Sequence, residues 1–347
     1  MIFYKQLIKW YLQNKRDLPW RETQNPYLIW LSEIMLQQTR VAQGLPYYEA
    51  FTDAFPTVFD LANASEEQVL KLWQGLGYYS RARNLHHTAK YVANSLDGNF
   101  PTTYKELLAL KGVGDYTAAA IASFSFYEAV PVVDGNVFRV LSRVFQVETD
   151  ISNASAKKEF QELAFELMPK NNPALFNQAI MEFGALQCVP KNPKCEICVF
   201  NTKCLALKNG KVTALPVKTK KTKVTNRFLN YLIFQDEVHK TLIQKRSAKG
   251  IWHNLYEFPL IETYEDVSLE DIIQLSSVQF SDKYKIIAVE GLHPMPIRHK
   301  LSHQNLSIQF WKIEINGLLD DGLSLFEIKK FPFPIVIYNF IEKDFLK

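Results

Sequence analysis

Apolar residues recur at helical spacing through most of residues 1–204. Segments 2–12, 27–36, 66–73, 84–92, 117–124, 136–145, 158–167 and 174–186 each present such a face and are predicted helices. Pro19, Pro26, Pro46, Pro56, Gly98, Pro101, Pro131, Pro169 and Pro173 punctuate between them. Beyond residue 227 the pattern changes. Residues 228–234, 241–243, 284–289 and 307–313 read as strands, and 268–276 and 334–345 as helices. The first stretch is thus predicted all-helical and the second a small α+β domain. No repeat or low-complexity tract interrupts either.

A chain of 347 residues is long for one core and favours two domains. With 47% hydrophobic and 22% charged residues, the composition is that of a globular protein rather than a disordered one. No stretch approaches the ~20 apolar residues of a membrane span. The start, Met1 to Gln6, lacks the basic-then-apolar order of a signal peptide. A cytoplasmic protein with no membrane partner is expected. The formal net charge of +4 says little by itself. Its distribution says more, because Lys208, Lys211, Lys218, Lys220, Lys221, Lys223 and Arg227 fall in 205–227 with no acidic residue. That run suits a phosphate backbone, and it equally suits a solvated linker. The domain boundary is placed there: 1–204, a basic linker 205–227, and 228–347.

All 4 cysteines lie between 188 and 204, as Cys188, Cys195, Cys198 and Cys204. Clustered thiols in a cytosolic chain read as metal ligands rather than disulfides. Four thiolates so close can hold zinc or a [4Fe–4S] cluster. A glycine turn, Leu110-Lys111-Gly112-Val113-Gly114-Asp115, separates two helical patterns. Such a turn, opening a helix, offers free N–H groups to a phosphate, though it also serves as an ordinary helix–helix connection.

Two carboxylates stand out. Glu33 shares a helix face with Ile29, Trp30, Leu36 and Gln37, where desolvation would raise its pKa and suit a general acid. Asp134 follows the apolar run Val130–Val133 and precedes a helix start. There it serves as an N-cap, and the helix dipole favours its ionised form. Cleavage of a glycosidic bond needs such a pair: a proton for the leaving group and an anion beside a cationic sugar. A helix edge and a structural cap are the plainer alternatives.

The motifs Leu18-Pro19-Trp20-Arg21, Glu33 to Thr39, Gly75 to Ala82, the glycine turn, Val133 to Val137 and the cysteine loop follow one another in order. Together they resemble the MutY-type adenine DNA glycosylases of the endonuclease III (helix-hairpin-helix) superfamily, over residues 1–204. The resemblance implies a monomeric, base-flipping enzyme acting on duplex DNA with A:8-oxoguanine or A:G mispairs. It implies a [4Fe–4S] cluster on the four cysteines in place of zinc, and a monovalent or calcium ion held by carbonyls of the hairpin at Gly112 and Gly114. By the same resemblance Glu33 protonates adenine, Asp134 steadies the sugar cation, and Asn136 orients these groups or a water. Arg21 and Gln178 contact adenine. Gln38, Thr39 and Tyr78 meet the DNA, Gln38 and Tyr78 as wedges, and Leu76 meets the oxidised guanine. Endonuclease III-like lyases carry lysine where Tyr116 stands. A phenol cannot form a Schiff base, so the resemblance implies base release without strand cleavage.

Residues 228–347 resemble the MutT-like (Nudix-like) domain of the same family, carried by Gly250 to Pro259 and His299 to His303. Ser302 and His303 are then implied in lesion recognition. Leu301-Ser302-His303 departs from the family's Phe-Ser-His at its first residue. No R-E-x-x-E-E pattern follows Glu257, so recognition rather than nucleotide hydrolysis is expected. Two rival readings remain: a bifunctional glycosylase/lyase, and an iron–sulfur DNA-binding regulator without catalysis.

Overall fold

A computed structural model describes residues 2–219 and 223–343. The chain forms two compact units, Met1–Asn63 with Arg83–Lys220, and Ala64–Ala82 with Lys221–Lys347. Lys220 and Lys221 of the basic run, and residues 344–345 of the last predicted helix, lie outside the described residues.

The helices of residues 1–220 are α1 (Ile2–Asn14), α2 (Pro26–Met35), α3 (Val41–Ala54), α4 (Val58–Asn63), α5 (Glu66–Leu72), α6 (Ser80–Ser95), α7 (Tyr104–Leu107), α8 (Asp115–Phe126), α9 (Gly135–Phe145), α10 (Ala154–Leu167), α11 (Pro173–Leu186) and α12 (Leu205–Lys208). Local chemistry sets their starts. Asn25 accepts from the Tyr27 N–H at 2.9 Å, and Pro26 stands at the first helical position, where its missing N–H costs nothing. α1, α9, α10 and α11 converge on one core of Leu7, Trp10, Val140, Leu141, Phe160 and Phe183, with Phe200 added from the cysteine loop. Fully burying each such side chain stabilises the fold by ~1.5–3 kcal/mol.

Between α9 and α11 there is no room for a side chain at residue 184. A Cβ on Gly184 would sit 2.7 Å from the Asn136 Cβ and 2.8 Å from the Asn136 carbonyl oxygen. Glycine there brings the start of α9 against α11.

The remaining elements are β1 (Thr225–Gln235), β2 (Gln244–Lys245), β3 (Tyr256–Glu257), β4 (Leu260–Thr263), α13 (Leu269–Phe280), β5 (Lys285–Gly291), β6 (Ile297–Lys300), β7 (Gln304–Asn316), α14 (Leu325–Ile328) and α15 (Ile335–Lys343). The sheet runs β4-β1-β7-β5, with β6 also on β7. β1 and β7 are parallel, Tyr231 opposite Phe310, and the other pairings are antiparallel. β1 carries the near-continuous apolar run of a strand buried on both faces, whereas β7 alternates apolar and polar residues apart from Phe310-Trp311 at its middle. On one face Phe310 stacks on Phe340 of α15 at 3.9 Å. On the other, Leu232, Phe234, Trp311 and Ile313 pack with Ile272 of α13.

Two expectations need correction. Residues 241–243 make no strand, only an isolated bridge from Thr241 to Leu323. The stretch read as linker carries α12 at its start and the opening of β1 at its end. A further difference concerns α5 and the loop after it, which belong to the unit of the C-terminal residues although they lie among the helices in sequence. Among the described residues, no helix is long and apolar enough to cross a membrane.

Candidate active site

A cleft of about 640 Å³ opens in the helical unit. Glu33 enters it from the last turn of α2, Tyr116 from the first turn of α8, and Asp134 and Asn136 from the start of α9. Glu33 is 5% exposed. The Tyr116 hydroxyl donates to Glu33 Oε2 at 2.5 Å. Burial pushes the Glu33 carboxyl up to about 7, with Asp134 adding to the rise and the Tyr116 hydrogen bond and Arg21 opposing it. The apolar helix face therefore yields the raised acid that the sequence predicts.

Asp134 caps α9. Its Oδ1 accepts from the N–H groups of Asn136 at 2.9 Å and Val137 at 2.8 Å, and its Oδ2 from Asn136 Nδ2 at 2.7 Å. The cap is as expected, but the charge balance differs. Burial outweighs these donors and holds the Asp134 carboxyl above its usual range. Three N–H donors are nevertheless already aimed at its anion, so a positive charge arriving in the cleft finds a prepared counterion.

The opposite wall is cationic. Glu182, 1% exposed, binds two guanidinium groups. Arg16 reaches its Oε1 at 2.8 Å and Oε2 at 2.6 Å, and Arg21 reaches them at 3.0 and 2.6 Å. The arginines hold the Glu182 carboxyl down at about 2, against the effect of burial. Tyr11 donates to Gln178 Oε1 at 3.0 Å, and the Arg21 guanidinium lies 5.8 Å from the Tyr11 ring centre. Arg21 and Gln178, the two residues expected to contact adenine, thus line the same cleft. Tyr11, Arg16 and Glu182 were missed, although Glu182 carried a signal: a carboxylate four residues after Gln178 on an otherwise apolar helix.

From α9 two arginines reach the cysteine loop. Arg139 donates to Asn136 Oδ1 at 2.8 Å, to the Gly184 carbonyl at 2.6 Å and to the Cys188 carbonyl at 2.7 Å. One turn on, Arg143 donates to the carbonyls of Val189 at 2.8 Å and Pro190 at 3.0 Å, and lies 3.6 Å from Cys188 Sγ. Cys188, Cys195, Cys198 and Cys204 line one small pocket with Phe183 and Phe200. Burial, and to a lesser degree the crowding of the other thiols, pushes Cys198 up to about 11. The four thiols are the soft donor type that iron and zinc take, and the Arg143 guanidinium stands where it can balance thiolate charge.

The expected DNA-facing residues are placed on turns. Gly112 has φ +79°, and a Cβ there would meet Asn84 Cβ at 2.7 Å; Gly114 is the residue before α8. Gln38 and Tyr78 both hold left-handed backbone, φ +54° and +49°. That conformation is costly outside glycine and concentrates at functional sites. Gln38 is exposed and Thr39 half-buried, its hydroxyl on the Gln37 carbonyl at 3.2 Å. Tyr78 is 42% exposed, whereas Leu76 is 4% exposed with its carbonyl on Arg81 Nη2 at 3.3 Å. Leu76 therefore supports the loop from beneath, and its side chain is not offered to a base. In the other unit, Ser302 and His303 stand exposed in the β6–β7 turn, Ser302 Oγ 3.1 Å from His303 Nδ1. Glu257 is buried against Arg246 at 2.8 Å and Tyr231 at 3.1 Å, so its carboxylate is occupied within the fold.

Comparison with known proteins accords with this geometry. Residues 31–166 match the HhH-GPD superfamily base excision DNA repair protein family, and residues 230–343 match the NUDIX domain. The adenine DNA glycosylase of Buchnera aphidicola subsp. Baizongia pistaciae (strain Bp) is 35% identical over 319 residues, covering 92% of this chain and 88% of that protein. The adenine DNA glycosylase of Homo sapiens is 46% identical over 213 residues, 59% of this chain and 39% of that protein. The solved structure of a thermostable thymine-DNA glycosylase superposes with a TM-score of 0.55 at 31% identity, covering 60% of this chain and 96% of that one. With a helical repair fold, a NUDIX-like α+β domain and a relative matched along nearly its whole length, the chain belongs to the adenine DNA glycosylase family.

Proposed function

We propose that this protein binds duplex DNA as a monomer, flips adenine out of A:8-oxoguanine or A:G mispairs and hydrolyses its N-glycosidic bond without cutting the strand. The observation that carries this reading is the pairing of Glu33 and Asp134 in one cleft, a buried acid raised to about 7 opposite a helix-capped carboxylate. With Oε2 engaged by Tyr116, the proton of Glu33 resides on Oε1, the oxygen free to meet the base. Protonation makes adenine a neutral leaving group. Asp134, held by Asn136 and the start of α9, faces the sugar cation as the bond breaks. Arg16, Arg21 and Gln178 line the wall that receives the flipped base.

Tyr116 stands where a lyase would carry its amine, and among the described residues no lysine lines the cleft. Gln38, Thr39 and Tyr78 enter the duplex from their turns, backbone groups at Gly112 and Gly114 meet a phosphate with a monovalent or calcium ion on the hairpin carbonyls, and Ser302 and His303 read the lesion. The catalytic residues fall within 1–204 and the lesion-reading residues within 228–347, on either side of the basic run 205–227. Cys188, Cys195, Cys198 and Cys204 would hold a [4Fe–4S] cluster, whose iron–thiolate bonds would tie the 188–204 loop together.

Single-turnover excision across A:8-oxoguanine, A:G, T:G and oxidised-pyrimidine duplexes tests the reading. Adenine release from the first two is expected, with no borohydride-trapped adduct. Glu33→Gln and Asp134→Asn should each abolish release while duplex binding stays nearly intact. Wild-type rates in either variant, or efficient trapping, would overturn the mechanism.

A further inference from the structure

Tyr78 sits on the loop 73–79, between α5 and α6. Gly75 and Gly77 have φ +99° and +78°, so the chain passes through three left-handed residues in four. A side chain that wedges into stacked bases must resist the cost of unstacking them, about a few kcal/mol per step. The backing for this loop is visible within the second unit. Lys71 Nζ donates to the carbonyls of Lys329 at 2.6 Å and Phe331 at 3.1 Å, and lies 4.9 Å from the Tyr338 ring centre. Gln74 Oε1 accepts from the Phe333 N–H at 2.9 Å. The Tyr79 hydroxyl accepts from the Gly75 N–H at 3.2 Å and donates to the Phe333 carbonyl at 3.4 Å. Phe333 lies between Pro332 and Pro334, which have no N–H. Its own N–H is therefore the one donor of that triplet, and Gln74 takes it.

Pro332 and Pro334 fix two φ angles of this strap and restrict the residue before each, which stiffens it. On the near side Trp73 Nε1 and Arg81 Nη2 both donate to the Gly77 carbonyl at 3.0 Å, and the Arg81 guanidinium lies 5.5 Å from the Tyr78 ring centre. The loop is thus clamped between Arg81 and the strap, with Tyr78 outermost.

We propose that the strap 329–334 is the positioning device for Tyr78: Lys71 and Gln74 are positioning residues that fix the loop on it, so that C-terminal residues set the pose of the side chain that enters the duplex. This rests on the reading of Tyr78 as a wedge. The role is mechanical, since neither Lys71 nor Gln74 need touch DNA.

A double-mutant cycle on the full-length protein tests it, with single-turnover excision on A:8-oxoguanine at subsaturating enzyme and the fluorescence of 2-aminopurine beside the base opposite adenine as readouts. Gln74→Ala leaves the Phe333 N–H without its acceptor and should lower both the excision rate and the unstacking signal about tenfold. Gln74→Glu keeps an acceptor oxygen and should restore both to within about twofold. In a Tyr78→Ala background, Gln74→Ala should have almost no further effect, because it acts through the residue already lost. Lys71→Met, which keeps the aliphatic stem, takes the place of Gln74→Ala if the latter melts at a much lower temperature. Additive losses in the double variant, or equal losses for Gln74→Ala and Gln74→Glu, would overturn the proposal alone. Wild-type excision and unstacking in Tyr78→Ala would overturn the wedge reading and the proposal with it.

Discussion

Glu33 is the residue on which pH acts. Its carboxyl titrates near 7 because α2 buries it, and a general acid works only while protonated. We therefore expect kcat/KM for adenine release to be flat below about pH 7 and to fall about tenfold per unit above it. A profile that rises through this range would remove Glu33 as the acid. The same shift bears on stability with a definite sign. The folded chain holds a proton that the unfolded chain gives up near its ordinary value of 4.5, so the folded state loses stability as pH rises from there to about 7, and no more beyond. Glu33→Gln accepts the Tyr116 hydroxyl without that cost. It should be inactive yet melt at a higher temperature at pH 8, by up to roughly 3 kcal/mol, and at the wild-type temperature near pH 4. Much of this was legible, since a lone carboxylate among Ile29, Trp30 and Leu36 already implies desolvation. The environment of Asp134 was not. The motif showed the cap but not how deeply the start of α9 is buried, and burial reversed the expected direction of its shift.

At the scale of elements, the approach of α9 and α11 controls the site. Gly184→Ala would place a Cβ 2.8 Å from the Asn136 carbonyl, and backbone cannot rotate away as a side chain does. The helices must part, which should cost ~1–3 kcal/mol in a chemical melt and slow adenine release by shifting Asn136. At Gly135 a Cβ meets nothing within 4 Å, so Gly135→Ala should melt no earlier than wild type. Loss of stability at Gly135 and none at Gly184 would contradict this packing. The long helices were readable from their periodic faces, β1 and β5 from their apolar runs, and β7 from its alternation. α3 was missed because Pro46 looks like a break. It lies inside the helix, as its sixth residue, where packing of Tyr48 and Phe51 keeps the helix going past the bond that proline removes. β2, β3, β4 and β6 were missed because two to four residues are too few to show alternation.

For the whole molecule, the grouping of residues 64–82 with the C-terminal chain was invisible in the sequence, since Gln74 meets Phe333 across 259 positions with no periodic signal. Removing residues beyond 220 should therefore lower hydrogen-exchange protection of amides 66–79 while α8, α9 and α11 keep theirs. Unchanged protection at 66–79 would contradict this grouping. Ser302→Ala with His303→Ala should weaken excision on A:8-oxoguanine far more than on A:G, as a hydroxyl can meet the N7–H that guanine lacks. Equal loss on both duplexes would leave the turn without a role in recognition. The purified protein should carry about four irons per chain, and stoichiometric zinc in their place after anaerobic purification would remove the cluster assignment. Arg139 joins Asn136 to Cys188 in a single span of hydrogen bonds, so the cysteine loop and the rim of the cleft share one support. If the four thiols hold the proposed cluster, Cys198→Ser should lose bond cleavage more than duplex binding, so that a chain without it would be silent rather than error-prone; equal loss of both would separate the cysteine loop from Asn136.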